Sequence, residues 1–400
     1  MIPKHRLPCV EDIKKSIGIL NPFLRMFSLK CDTFKHKKYT VLSIVTFILP
    51  ALILGSIDAL TLYFKILYTY HDVVVSIKYT DAVQVTFDFF QYIVDLYIVY
   101  RCGNSLEEYY KIYEKLDEEL GMKYCGVLYG KLRKIILIYG FIWTISCAGD
   151  YWAWLDSSGW KTASAFSISY IFVLIKIITS LDMTAHLMHI DFRLRAIGDA
   201  AESLCKKLKC SYRERVGEND ETSVKIITVG TTNSNVEVVK CLGRCYVWVV
   251  KLAEFVNQAF GTRVLLNTLS VLIDIIRFTN IAARILLGSQ HLHKHATGIF
   301  PVLSTLMRLF TCVVMVFSLA KHCELVYGQR ERVINIIDHA IVFNEPSVDV
   351  KSALNDLRVL IQYRPVEFCM SNLVRIDYSL LGSMTSIVVT YTIILLQNVN

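Results

Sequence analysis

Seven stretches of this chain stay apolar for about 20 residues or more, the length of helix that crosses roughly 30 Å of hydrocarbon at about 1.5 Å per residue. They fall at 40–67, 81–100, 133–155, 164–187, 256–287, 300–321 and 376–397. A bilayer offers its interior backbone no water to bond, so each stretch is expected to close its own hydrogen bonds as a helix. Asp88 and Asp95 interrupt the second, and Asp274, Arg277 and Arg284 the fifth. With 54% hydrophobic and 20% charged residues and a mean hydropathy of +0.43, the chain is too apolar for a soluble enzyme with an ordinary surface. The expected fold class is an all-α membrane protein with seven transmembrane helices. No apolar run precedes a small-residue cleavage site near the amino terminus, so the first span is expected to direct insertion itself.

Charge sets the expected orientation. Of the 43 Lys and Arg residues, 33 lie in the odd-numbered connecting segments and 4 in the even-numbered ones, taking Lys65, Arg133 and Lys134 with the connections they adjoin. The positive-inside rule then gives a cytosolic amino terminus, long cytosolic loops and an extracellular carboxyl terminus. The net charge of +8 is accounted for by topology rather than by a basic stripe, and no nucleic-acid partner is expected.

Two polar connections carry helical signals. In 105–121, Ser105 and Glu108 have capping-box spacing, Leu106, Tyr109, Tyr113, Leu116 and Leu120 form an apolar stripe, and Gly121 stands where a C-cap belongs. In 347–363, Ser347 is placed to cap a helix whose face is Val350, Ala353, Leu354, Leu357 and Ile361, with Pro365 as its stop. The stretch 212–240 is polar with little periodicity and reads as a mobile loop. None of the twelve cysteines falls in the three predicted outer loops, so no extracellular disulfide is expected. Cys205 with Cys210, and Cys241 with Cys245, match no common zinc spacing and read as structural thiols. No metal site and no cofactor is expected.

The last span has no charged side chain from Tyr378 to Asn400. With Gly382 at zero and about 100° per residue, Ile393, Ser386, Gln397 and Thr390 lie at about 20°, 40°, 60° and 80°, and Ile394 flanks them at about 120°. Such a stripe is either a seam of small residues against a neighbouring helix or a wall facing water. The segment TYTIILLQ, residues 390–397, resembles the carboxyl-terminal signature of insect gustatory receptors, in which a Thr-Tyr pair is followed by five apolar residues, Gln and usually Phe. Ile376, Asp377, Leu380 and Leu381 resemble the approach to that motif, and Phe368 and Cys369 the segment before it; Asn398 departs from it.

The resemblance implies a tastant-gated, non-selective cation channel, a homotetramer or a heterotetramer with related receptors, multi-pass in the plasma membrane of sensory neurons. It divides the chain into a cytosolic segment at 1–39, a ligand-binding domain of six helices at 40–321 with a cytosolic loop at 188–255, cytosolic anchor helices at 322–370 and a pore helix at 371–400. Gln397, Ile394, Ile393, Thr390 and Ser386 would then line the pore. The implied ligand pocket opens outward among the first six helices, where aromatic walls and converging polar groups would suit a small molecule. Candidates there are Asp88, Gln91, Trp143, Asp150, Tyr151, Trp154, Tyr170, Arg277, Asn280, Ser304 and Arg308, accompanied by Gln84 and Ser167. The ligand would be a bitter or plant-derived compound, or a sugar.

Each candidate has a simpler reading. Trp152, Trp154 and Trp160 suit a membrane-interface belt, Asp150 suits hydrated surface, and Asp274 with Arg277 suits an intrahelical pair. Asp95, Lys176 and Asp182 read as packing or snorkelling groups toward the cytosolic side. The alternative of a G-protein-coupled receptor fits poorly: the charge distribution puts the amino terminus on the wrong side, and no DRY or NPxxY motif is present. No enzyme is expected, since the histidines form no HExxH cluster and His291, His293 and His295 read as a short outer loop.

Overall fold

The computed structural model describes residues 18–30, 41–69, 75–103, 105–121, 126–217, 224–286, 300–344 and 346–397. A short helix α1 (Asn21–Met26) precedes α2 (Val41–Phe64), whose end loosens into a π-helical turn at Lys65–Thr69. Then follow α3 (Val75–Cys102), α4 (Leu106–Leu120), α5 (Gly126–Ser167), α6 (Ser169–Gly217), α7 (Val224–Leu286), α8 (Phe300–Phe343) and α9 (Val348–Tyr363). A two-stranded hairpin of β1 (Cys369–Met370) and β2 (Val374–Arg375) leads into α10 (Tyr378–Gln397). Seven helices, α2, α3, α5, α6, α7, α8 and α10, are long and apolar enough to cross a membrane. The fold is therefore a nearly all-helical bundle with seven membrane-spanning helices, as the hydropathy implies.

The helices α6, α7 and α8 contain 49, 63 and 44 residues, or about 66–95 Å at 1.5 Å per residue. That is at least twice the hydrocarbon thickness, so they run on into the charge-rich end of the bundle. This corrects the reading of 188–255 as loop. It also corrects 212–240, of which 212–217 and 224–240 are helical while 218–223 lie outside the described residues. Those stretches lack a stripe of their own because they extend helices already nucleated by packed turns, and propagation adds one hydrogen bond per residue without a new nucleus.

At that end α9 lays Val350, Leu354, Leu357 and Ile361 into the core beside Leu242, Val249, Val333 and Ile337, while Ala353 is half-buried. The Tyr246 hydroxyl donates to the carbonyls of Arg364 at 2.8 Å and Ile361 at 3.4 Å, satisfying the C-terminal turn of α9. Ser347 does stand at the N-cap, but its side chain makes no capping bond; its carbonyl accepts from Lys351 at 2.9 Å. The same holds at Ser105, whose backbone is already helical, so the capping box expected with Glu108 does not form. Gly121 does end α4 in the left-handed region, at φ 61°. The α4 stripe buries Tyr109, Tyr113 and Leu116. It is locked by Arg193, which donates to Asp117 at 2.8 and 2.6 Å and stacks its guanidinium 4.3 Å from the Tyr113 ring. The Tyr109 and Tyr113 hydroxyls share a hydrogen bond at 2.9 Å and burial pushes both phenols above their ordinary pKa, so both stay neutral donors and acceptors.

The hairpin connects the charge-rich end to the last span. Ser371 and Asn372 both have positive φ, which the tight hairpin turn requires and which Asn tolerates well. Tyr327 of α8 clamps both sides of it: its hydroxyl donates to the Ile376 carbonyl at 3.1 Å and accepts from the Phe368 amide at 3.1 Å. Asn257 of α7 donates to Glu367 O at 2.8 Å and accepts from Cys369 N at 3.1 Å. Asp377 then caps α10, accepting from the Ser379 amide at 2.9 Å and its hydroxyl at 2.5 Å, bonds that hold its carboxyl below the usual range.

Gly261 marks where hairpin and helix α7 touch. A methyl added there would meet the Cys369 carbonyl oxygen at 3.0 Å and the Ser371 amide nitrogen at 3.1 Å, both backbone atoms, whereas one at Gly328 meets nothing within 4 Å. Gly261→Ala is expected to cost about 1–3 kcal/mol by overpacking. Gly328→Ala should be neutral or stabilising by up to about 1 kcal/mol through helix propensity. Thermal unfolding of the two detergent-solubilised variants checks this; equal melting temperatures would show that the hairpin is not held against α7.

Candidate functional site

Ionisable residues inside apolar helices are the natural start, because an unpaired charge there costs about 2.5–3.5 kcal/mol even on lenient insertion scales. In this bundle they find one another. Lys65 at the end of α2 pairs with Asp81 of α3 at 2.9 Å, and Asp81 with Arg277 of α7 at 2.6 Å. Arg277 contacts Asp274 at 3.1 Å, Asp274 meets Lys176 of α6 at 2.7 Å, and Lys176 meets Asp88 of α3 at 2.8 Å. The result is a buried string of three cations and three carboxylates in alternation, joining α2, α3, α6 and α7. Gln84 and Ser270 complete the shell of Asp88, donating to Oδ1 at 2.7 and 2.5 Å. One helical turn or so along, Gln91 donates to Asn267 at 3.4 Å, and Asn267 donates to Ser180 at 2.9 Å.

A second cluster joins α5, α6 and α8 around Asp150. That carboxylate accepts from Tyr170 at 2.6 Å, from Arg308 at 2.9 Å and from Ser304 at 3.2 Å. Arg308 reaches Ser169 at 3.3 Å and lies over the rings of Tyr170 and Phe278, at 5.0 and 4.6 Å. Trp143 donates its indole N–H to the Tyr170 carbonyl at 3.3 Å. Asp150 is therefore not the hydrated surface group that its place in the sequence suggests; it is buried with Arg308 as its counter-ion.

The expected ligand residues thus separate. Asp88, Gln91 and Arg277 belong to the first cluster, and Trp143, Asp150, Tyr170, Ser304 and Arg308 to the second. Asn280 lies apart and accepts from Arg284 at 3.0 Å. Trp154 stacks on Phe166 at 4.2 Å, Tyr151 is half-buried in neither cluster, and Trp152 and Trp160 are exposed as belt residues would be. The pairing of Asp274 with Arg277 is present, though it is only one link of the string. Of the two readings of Lys176, packing holds and snorkelling does not: it is buried between two carboxylates. Asp95 packs against Arg263 at 3.5 Å, both inaccessible to solvent. Sequence reasoning missed Lys65, Asp81, Lys176, Asp274 and Ser270 as members of the site; the only signal for the four charged ones was that ionisable residues of both signs fall within apolar spans. Among the described residues, those on the candidate list leave four buried polar atoms with no hydrogen-bond partner in the protein: Gln84 Oε1, Gln91 Oε1, Arg277 Nε and Asn280 Nδ2. The first three give the first cluster spare capacity for a polar ligand group, and the Asn280 amide offers a donor outside it. Two cavities, of 340 and 580 Å³, open elsewhere, at the charge-rich end. His291, His293 and His295 lie outside the described residues.

The terminal helix α10 contributes the other part of the site. Leu380, Met384 and Thr392 are buried and Val388 and Leu395 half-buried; at about 100° per residue they occupy about 160–280° on the wheel set from Gly382. Ser386, Thr390, Ile393, Ile394 and Gln397 are all exposed, on roughly the opposite side. The small-residue seam is therefore not used inside the chain: a methyl at Gly382 would meet nothing within 4 Å. Near the tip, Arg284 of α7 donates to the Leu395 carbonyl at 2.6 Å, one of the four carbonyls a helix end leaves unsatisfied.

The ionic string yields a stability prediction. Lys176→Met leaves Asp88 and Asp274 buried without their shared cation, which is expected to cost about 3–5 kcal/mol. Adding Asp88→Asn to that variant should recover part of the loss. Thermal unfolding in detergent measures both, and a melting temperature unchanged by Lys176→Met would show that the string is not an energetic unit.

A sequence search of curated proteins gives no match. Among solved structures, the chain is similar to the insect olfactory receptor OR5 from Machilis hrabei in complex with eugenol, at TM-score 0.62 and 13% identity, covering 97% of this chain and 99% of that one. It is also similar to another structure of the same receptor, at TM-score 0.54 and 13% identity, with 96% and 100% covered. At that identity the likeness speaks to the fold. The model of the 7tm chemosensory receptor family matches residues 16–398, and on that match the chain belongs to the 7tm chemosensory receptor family.

Proposed function

We propose that this chemoreceptor is a gustatory receptor subunit: a tastant-gated, non-selective cation channel of four subunits whose α10 helices surround the pore, in the plasma membrane of sensory neurons. The observation that carries the reading is the division of α10 into a face packed on its own chain and an uncharged polar stripe turned away from it. A stripe of Ser386, Thr390 and Gln397 is poor company for lipid, because each unsatisfied polar group in hydrocarbon costs several kcal/mol. One of these residues has a partial remedy in its own helix: the Thr390 hydroxyl donates back to the Ser386 carbonyl at 2.9 Å. Gln397 has no such option and calls for water or a symmetry mate. Four copies of the stripe around an axis would supply both.

In that arrangement a ring of Ile394 closes the path by excluding water, and a ring of Gln397 solvates passing cations without a fixed charge. The ligand is a small molecule, for which the eugenol complex of OR5 is support by analogy. Its site is drawn from the two polar clusters and their aromatic walls, with the unpartnered atoms of Gln84, Gln91, Arg277 and Asn280 as the groups a bitter, plant-derived or sugar ligand would satisfy.

The test is current. Expressed alone in cells that lack insect partners, the chain should pass cation current when a tastant is applied, with G-protein signalling blocked. Ile394→Ala should raise current in the absence of ligand, and Gln397→Ala should change relative cation permeabilities at unchanged surface level. Currents abolished by the G-protein block would favour the receptor class set aside above. Permeation identical in both variants, with only fewer molecules at the surface, would remove α10 from the pore.

A further inference from the structure

The structure brings together three metal-ligating side chains that no part of the channel reading uses. On α7, Cys241 and Cys245 stand one turn apart on one face of the helix. Glu119, in the last turn of α4, reaches them from a position 122 residues away. Its Oε2 lies 3.4 Å from Cys241 Sγ and 4.0 Å from Cys245 Sγ, and the ligand atoms of the three residues all fall within 4.8 Å of one another.

From these distances we infer that Glu119, Cys241 and Cys245 form a binding site for a thiophilic divalent cation, Zn2+ by chemistry, that ties α4 to α7. A tetrahedral zinc with Zn–S of about 2.3 Å and Zn–O of about 2.0 Å has S···O edges of about 3.5 Å and an S···S edge of about 3.8 Å. The metal-free side chains already stand within about half an ångström of the two S···O edges. The donor set of two sulfurs and one carboxylate suits zinc over calcium or magnesium, which take oxygen ligands. The fourth position is left to water or a small external ligand, as in open zinc sites.

Charge and access agree with the assignment. Binding releases two thiol protons, after which two thiolates, one carboxylate and Zn2+ sum to one negative charge. Arg244, whose Nε lies 3.3 Å from the same Glu119 oxygen, neutralises it. Glu119 is exposed, Cys241 half-buried and Cys245 buried, so an ion can enter from the solvent and finish against the protein. The spacing Cys-x-x-x-Cys alone reads as a pair of structural thiols; the carboxylate from another helix is what completes the set.

Titration of the reduced, full-length receptor with Co2+ tests this directly. The native chain should show thiolate-to-cobalt charge-transfer absorption that saturates with one ion per chain, is displaced by Zn2+ and is accompanied by release of about two protons. Cys241→Ser with Cys245→Ser should abolish it, whereas Cys205→Ser should leave it intact. Glu119→Gln changes only an exposed side chain, so folding is preserved, and it should weaken binding by more than the ~10–100-fold typical of changes outside the ligand set. Equal absorption and stoichiometry in the native chain and the double cysteine variant, or native affinity in Glu119→Gln, would overturn the assignment.

Discussion

Everything in this bundle is arranged around the cost of a charge in hydrocarbon. Lys65, Asp81, Arg277, Asp274, Lys176 and Asp88 would each be prohibitive alone on a membrane-crossing helix, yet in alternation they are mutually compensating. The string also fixes geometry. Each pair between helices has one rotational register in which the two can meet, so α2, α3, α6 and α7 are keyed to one another by contacts that a purely apolar interface would leave free to slide. The Asp150–Arg308 cluster does the same for α5, α6 and α8. Burial of these groups is thus a specification of packing more than a source of stability.

How much of this could be read in the sequence follows from the range of each interaction. The seven spans, the apolar stripes of α4 and α9 and the Gly121 cap depend on residues a few positions apart, and local spacing reveals them. Asp88 and Arg308 were legible as ionisable groups within spans and as candidate ligand residues. Their partners, Lys176 at a separation of 88 residues and Asp150 at 158, were not, because pairing across a bundle leaves no trace in local pattern. The capping roles of Ser105 and Ser347 failed for a related reason: the backbone at Ser105 is already helical and the Ser347 side chain is unused, so residue type signalled the position without fixing the bond. The hairpin escaped notice because its turn is Ser-Asn rather than a glycine pair, and its positive φ values are sustained by the Tyr327, Asn257 and Thr262 contacts around it. Helical propagation hid 224–240, whose composition alone argues for a loop.

Of the two proposed parts of the site, the terminal helix was the more legible. Its stripe is a matter of angular spacing along 20 residues, and the face it leaves exposed is the one the wheel picks out. The polar clusters are different in kind: the candidate list was assembled from residue types near one membrane face, and the fold sorted it into two groups while leaving Tyr151, Trp154 and Asn280 outside both. Aromatic and polar composition identifies a neighbourhood, and only the crossing of helices decides who shares it.

The attachments of α10 have a mechanical corollary. At its first residue the helix is joined to a hairpin gripped from two sides by Tyr327 and Asn257; near its last, Arg284 holds a single carbonyl. The helix is therefore a lever with a broad pivot and a narrow catch. A 20-residue helix is about 30 Å long, so a tilt of only about 5° at the pivot carries the tip about 2.6 Å sideways, enough to stretch the Arg284 bond beyond hydrogen-bonding distance. Between pivot and catch the helix is held by side-chain packing of Leu380, Met384, Val388 and Thr392 rather than by directed bonds, so its tip is the part whose position rests on a single hydrogen bond.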